Sequence, residues 1–208
     1  EGLASKIKFK KANSEDDEID PFTKEERKAI IECFKSNRYY NHYANYVQFL
    51  FLTGARPSEV IALQWKHIST KSIKFEQAIV KGEKGLVLKD GLKTQQRRKF
   101  PVNVHLLALI NEMAGGSIGN QNPEAFVFLG ARGEWIHIDN FRDRAWKTVL
   151  SESNVRYRKP YQTRHTFITM AIEAGVSLPQ VAKWAGNSPQ VIMEHYAGTI
   201  AQVNVPEF

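Results

Sequence analysis

Between residues 72 and 102 the hydrophobic period of the chain changes. Ile73 and Phe75, then Ala78 and Val80, read as one strand; Leu86-Val87-Leu88 reads as a second and Phe100-Pro101-Val102 as a third, with turns near Gly82, Gly85 and Gly91. Apolar residues at a period of two mark half-buried strands, and glycines between them mark turns. On both sides of this insert the period is helical. The expected fold is therefore mainly α with a small antiparallel β-sheet, an α+β architecture.

The helical parts carry their own punctuation. Thr23 with Glu26 three residues on is a capping box, and Ile30, Ile31 and Phe34 mark one face of a helix to about Asn37. A second helix, about 41–53, carries Tyr43, Val47, Leu50 and Phe51. Gly54 suits its C-terminal cap, and Pro57 suits the first turn of a third helix to about Trp65. After the strands, helices are expected over 104–113, 139–150, 160–174, 178–184 and 189–196, with Phe126-Val127-Phe128 as a short buried strand or turn support. Gly175 ends the third of these.

Residues 1–20 run from basic (Lys6, Lys8, Lys10, Lys11) to acidic (Glu15, Asp16, Asp17, Glu18) and read as a solvated linker. The chain of 208 residues carries 29 Lys+Arg against 22 Asp+Glu, a net charge of +7, which favours a polyanionic partner, most simply nucleic acid. One cysteine, Cys33, excludes an internal disulfide framework and a thiolate metal cluster, and fits a reducing compartment. No apolar run reaches the roughly 20 residues a membrane helix needs. There is no Walker loop, no His-Glu-x-x-His pattern and no acidic pair spaced for two metals, so the chemistry is expected to use neither metal nor ATP.

Two segments suggest what that chemistry is. Tyr161-Gln162-Thr163-Arg164-His165-Thr166-Phe167 puts an arginine at the start of an apolar helix; Glu194-His195-Tyr196-Ala197-Gly198 puts a tyrosine 196 − 164 = 32 residues later. Arg56 sits in the turn between two apolar helices, where its plainer reading is a surface arginine capping the carbonyls behind it. Two guanidiniums suit a phosphodiester, because each offers a planar fork of donors that stays charged. A tyrosine, with an ordinary pKa of about 10, needs such charges beside it to become a nucleophile. Lys93, in the basic run Lys93-Thr94-Gln95-Gln96-Arg97-Arg98-Lys99, is placed to protonate a leaving oxygen. The run reads either as a solvated loop or as a hairpin tip reaching a DNA groove.

These blocks resemble the catalytic domain of the tyrosine recombinases, the phage-integrase family. The likeness rests on Leu52-Thr53-Gly54-Ala55-Arg56-Pro57-Ser58-Glu59, on Lys93-Thr94, and on Thr163-Arg164-His165-Thr166-Phe167 leading to Tyr196. The resemblance implies that Arg56 and Arg164 bind the scissile phosphate, Lys93 protonates the leaving oxygen and Tyr196 forms a 3′-phosphotyrosyl link. It also implies that Glu59 supports the first arginine and that His165 packs behind the second. Two positions depart from the pattern: Tyr161 stands where histidine is common, and Asn187 where histidine or tryptophan is. Both can hydrogen-bond a phosphate oxygen, and neither is a base near neutral pH.

The resemblance further implies a double-stranded DNA partner, self-association as a tetramer on DNA, accessory DNA-bending proteins, no cofactor, no membrane, and a cytoplasmic site of action in a bacterial cell or phage-infected host. Groove and backbone contacts are expected from Arg97, Arg98, Lys99, Arg142, Arg144, Lys147, Arg158 and Lys159. The expected division is a linker at 1–20 from a missing N-terminal DNA-binding domain, a catalytic domain at 21–198, and a tail at 199–208 exchanged between subunits. The leading reading is a site-specific DNA recombinase. A relative that binds DNA but has weakened catalysis, and a relaxing topoisomerase, are the alternatives.

Overall fold

The computed structural model describes residues 19–83, 85–92 and 97–196. Helix α1 (Lys24–Ser36) begins at the expected capping box: the Glu26 amide donates to Thr23 Oγ1 at 3.1 Å and the Thr23 amide to Glu26 Oε2 at 2.9 Å. Helix α2 (Ala44–Thr53) follows a short 3-10 turn, and Gly54 ends it in the left-handed region with φ of 59°. A side chain at Gly54 would fail twice, since its Cβ would also lie 2.4 Å from the Phe167 ring. Helix α3 (Pro57–Ile61) is shorter than expected, and a 3-10 turn at Trp65–His67 leads into the strands.

The extended region is not one sheet. Strands β1 (Ser72–Phe75) and β2 (Gln77–Gly82) are separate, broken at Glu76. β2 pairs antiparallel with β3 (Gly85–Asp90), while β1 pairs antiparallel with β4 (Arg98–Pro101), giving two two-stranded ribbons. The break lets one continuous apolar alternation serve two partners. Phe126 forms only an isolated bridge with Gln64.

Helix α4 (Val104–Met113) is capped by Asn103. The expected helix over 139–150 exists as α5 (Ile138–Asn140), a π-helical stretch Phe141–Trp146, and α6 (Lys147–Glu152). That stretch carries Phe141 and Trp146 into the main core, where they meet Phe34 at centroid distances of 6.2 and 6.1 Å. The core also takes Ile30, Tyr46, Phe49, Leu50, Phe75 and Leu109. Helices α7 (Gln162–Glu173), α8 (Leu178–Ala185) and α9 (Pro189–Tyr196) close the fold around a second, smaller cluster: Ile168, Val181, Ala182, Ala185, Ile192 and Tyr196.

Residues 19–22 strap α1 to α7. The Phe22 amide donates to Thr166 Oγ1 at 2.9 Å, and Arg158 pairs with Asp20 and Glu26 while covering the Phe22 ring at 4.8 Å.

Candidate active site

Three arginines meet at the C-terminal end of α8. The last carbonyls of a helix have no partner within it and carry its negative dipole end. Here three consecutive ones are each taken by a different guanidinium. Arg98 Nε donates to Trp184 O at 3.0 Å, Arg164 Nη1 to Ala185 O at 2.5 Å, and Arg56 Nη2 to Gly186 O at 3.1 Å. Gly186 caps the helix with φ of 71°, and the next side chain, Asn187, also accepts from Arg56 Nη2 at 3.3 Å. The two arginines of the sequence reading, 164 − 56 = 108 residues apart, thus hold neighbouring carbonyls.

Each arginine is fixed by what surrounds it. Arg164 is 1% exposed and also donates to Gly54 O at 2.8 Å, a carbonyl left at the end of α2. Its Nη2 is buried without a hydrogen-bond partner among the described residues. Burial pulls this guanidinium down to about 10, with Tyr161 partly offsetting and Arg56 reinforcing the shift; it remains charged at neutral pH. Arg56 sits at the start of α3 and pairs with Glu59 Oε1 at 3.0 Å, while Glu59 Oε2 accepts from the Arg56 amide at 3.1 Å. The same Oε2 accepts from Arg98 Nη2. Glu59 is 2% exposed; burial raises its carboxyl pKa, but the Arg98 hydrogen bond and the charges of Arg98 and Arg56 outweigh that and leave it lowered. Three guanidiniums against one carboxylate leave 3 − 1 = 2 positive charges in this group, enough to match a phosphate gaining charge during attack.

The Tyr196 ring is buried in the small cluster, 2% exposed. Its hydroxyl lies 2.5 Å from His165 Nδ1, on the residue next to Arg164. Burial pushes the phenol well above its ordinary pKa; the Arg164 charge opposes this and Tyr161 adds to it. Tyr161 sits one turn before His165, with ring centroids 5.3 Å apart, and is 41% exposed.

The structure therefore gathers Arg56, Glu59, Tyr161, Arg164, His165, Asn187 and Tyr196. Lys93 lies outside the described residues, as do residues 1–18 and the tail from 197.

Three of the residues expected to contact DNA are engaged within the protein. Arg98 is 7% exposed, spent on Glu59 and Trp184, with its guanidinium carbon 4.4 Å from the Phe75 ring centroid. It belongs to the site's interior. Strand alternation held the signal: in β4, Arg98 and Phe100 point the same buried way. Arg158 is taken up by the strap to Asp20 and Glu26. Arg142 is forked onto Asp143 at 2.7 and 2.8 Å and reaches Asp139 at 2.9 Å. Arg97, Lys99, Arg144, Lys147 and Lys159 remain exposed. Arg97 and Lys99, with Arg98, Lys183, Gly186 and Asn187, line a cleft of about 390 Å³ beside the arginine cluster. Among the described residues no group of three or more His, Cys, Asp or Glu is placed to hold a metal ion, and no helix is long and apolar enough to cross a membrane.

Comparison with known proteins agrees with this architecture. The phage integrase family profile matches residues 21–201, and the chain belongs to that family. A "tyrosine recombinase XerC-like" protein of Caldanaerobacter subterraneus subsp. tengcongensis is 29% identical over 196 residues, covering 82% of this chain and 48% of the relative. Among solved structures, the Tn1549 transposon integrase in complex with a circular intermediate DNA superposes with a TM-score of 0.75 at 18% identity, covering 88% of this chain and 63% of that one. The catalytic domain of bacteriophage HP1 integrase superposes with a TM-score of 0.59 at 14% identity, covering 88% and 89%. The chain spans about half the length of the curated relatives it matches.

Proposed function

We propose that this chain is the catalytic domain of a site-specific DNA recombinase of the integrase type, which cuts and rejoins strands through a 3′-phosphotyrosyl intermediate. One observation carries the reading: Arg56 and Arg164 converge on adjacent carbonyls, with the Tyr196 hydroxyl brought alongside by His165. A phosphodiester offers the same chemistry as those carbonyls, oxygen acceptors with negative charge, and offers more of it. A buried guanidinium nitrogen with no partner among the described residues, Arg164 Nη2, costs about 1–3 kcal/mol unless an acceptor arrives, which favours binding of one.

In this scheme Arg56 and Arg164 bind the non-bridging oxygens of one phosphate. Tyr196 Oη attacks the phosphorus, the bond to the 5′ oxygen breaks, and Lys93 supplies the proton that oxygen takes. The ester stores the energy of the broken bond, so rejoining needs no external source. Exposed Arg97, Lys99, Arg144, Lys147 and Lys159 hold the flanking backbone. The protein acts on DNA in the cytoplasm of a bacterial cell or a phage-infected host, as a tetramer with accessory bending proteins. Residues 1–20 join this domain to an N-terminal DNA-binding domain, and the tail from 199 docks on a neighbouring subunit.

The test is covalent capture. A library of nicked duplexes with a randomised centre, incubated with the protein and denatured, yields a protein–DNA adduct that Tyr196→Phe does not form. Specific binding with no adduct from any duplex points to a catalytically weakened relative, and sequence-independent relaxation of supercoiled plasmid to a topoisomerase.

A further inference from the structure

We infer that His165 is a catalytic residue, the group that takes the phenolic proton of Tyr196 during strand cleavage and returns it during rejoining. The inference rests on the recombinase reading and assigns a role that reading leaves open. Neither Tyr161 nor Asn187 is basic near neutral pH, so neither can accept that proton. Tyr196 is buried, so its phenol is un-ionised in the resting site and needs an acceptor as it attacks.

His165 Nδ1 lies 2.5 Å from Tyr196 Oη, within the distance for direct proton transfer. It is placed there by the fold. His165 follows Arg164 on α7, and Ile168, one turn on, anchors that helix in the cluster that also buries Tyr196. Tyr161 packs edge-on against the imidazole from the preceding turn. A neutral imidazole has a ring nitrogen free to accept a proton and is a competent base. As the Oη–phosphorus bond forms, the proton moves from Oη to Nδ1. As the phosphorus–O5′ bond breaks, O5′ takes its own proton from Lys93. On rejoining, O5′ attacks the phosphotyrosine and the imidazolium returns its proton to the departing Oη.

The role requires Nδ1 to be unprotonated and Nε2 to carry the hydrogen. Nitrogen-15 NMR of the whole chain reads this without DNA. An acceptor-type Nδ1 resonance that shifts in Tyr196→Phe supports the assignment, and a protonated Nδ1 donating to the phenol overturns it. Single-turnover adduct formation gives the second reading. His165→Asn keeps a polar atom near Nδ1 but no basicity, and cleavage is expected to fall about 100-fold or more. His165→Ala is expected to fall as far and to recover in part with added imidazole, which a packing role does not explain. His165→Asn cleaving at the parent rate, or His165→Ala indifferent to imidazole, overturns the inference while leaving the recombinase reading intact. A parent protein that forms no adduct defeats both.

Discussion

The main core and the small cluster around Tyr196 are built differently. The main core is aromatic and deep: Phe34, Tyr46, Phe49, Phe128, Phe141 and Trp146 interlock with centroid separations of 5.0–6.2 Å. The small cluster has six buried apolar side chains, and the end of α8 adds arginine–carbonyl bonds to that packing and to the contact of Trp184 with Phe100. Burial of apolar surface is indifferent to a ligand, whereas a hydrogen bond to a carbonyl can be exchanged for one to a phosphate. The scaffold is thus held by interactions that binding leaves alone. At the end of α8, beside Asn187, the arginine–carbonyl bonds are interactions that binding can replace.

Four substitutions break or sharpen this contrast. Trp146→Ala strikes the scaffold, removing a fully buried ring whose indole donates to Arg158 O at 2.7 Å. It is expected to cost about 3–5 kcal/mol in urea unfolding, with every helix lost together. Glu59→Gln strikes the polar joint. It leaves the half-buried Arg56 and the buried Arg98 near each other with no carboxylate between them, and is expected to cost about 3 kcal/mol. Because the folded-state pKa of Glu59 is lowered, its stabilisation is present above the ordinary carboxylate range and is lost as pH falls through the folded value. Melting temperatures of the parent and Glu59→Gln should therefore converge on acidification from pH 7.

Ile192→Ala strikes the small cluster, at about 2 kcal/mol. Hydrogen exchange should quicken in α9 while α1 and α2 stay protected; uniform quickening would show that the two regions are one cooperative unit. The smallest effect is expected for Lys147→Ala, an exposed position. Stability should stay within about 0.5 kcal/mol, and DNA affinity should lose about one unit of its salt slope.

Much of this was legible in the chain itself. Arg56 and Arg164 stood out because local punctuation, Gly54 and Pro57 in one case and Pro160 in the other, placed a charge at the start of an apolar helix. The helix ends at Thr23, Gly54 and Gly175 follow from caps that act locally. What misled was non-local. The break at Glu76 depends on β1 and β2 having different partners, which alternation along one strand cannot reveal. Arg98 belongs by charge to a basic run, although its period with Phe100 points inward. His165 was expected only to pack, because its contact with Tyr196 forms across two helices.

The central claim is that Arg56, Arg164 and Tyr196 serve a single phosphorus. A crystal structure of the protein with orthovanadate and the cut ends of a duplex recovered by covalent capture tests it directly. The expected result is a trigonal-bipyramidal vanadium with Tyr196 Oη at one apex and both guanidiniums on equatorial oxygens, the arginines having given up α8 carbonyls to reach them. Vanadate bound with either guanidinium still on its carbonyl and facing away from the oxyanion would contradict it.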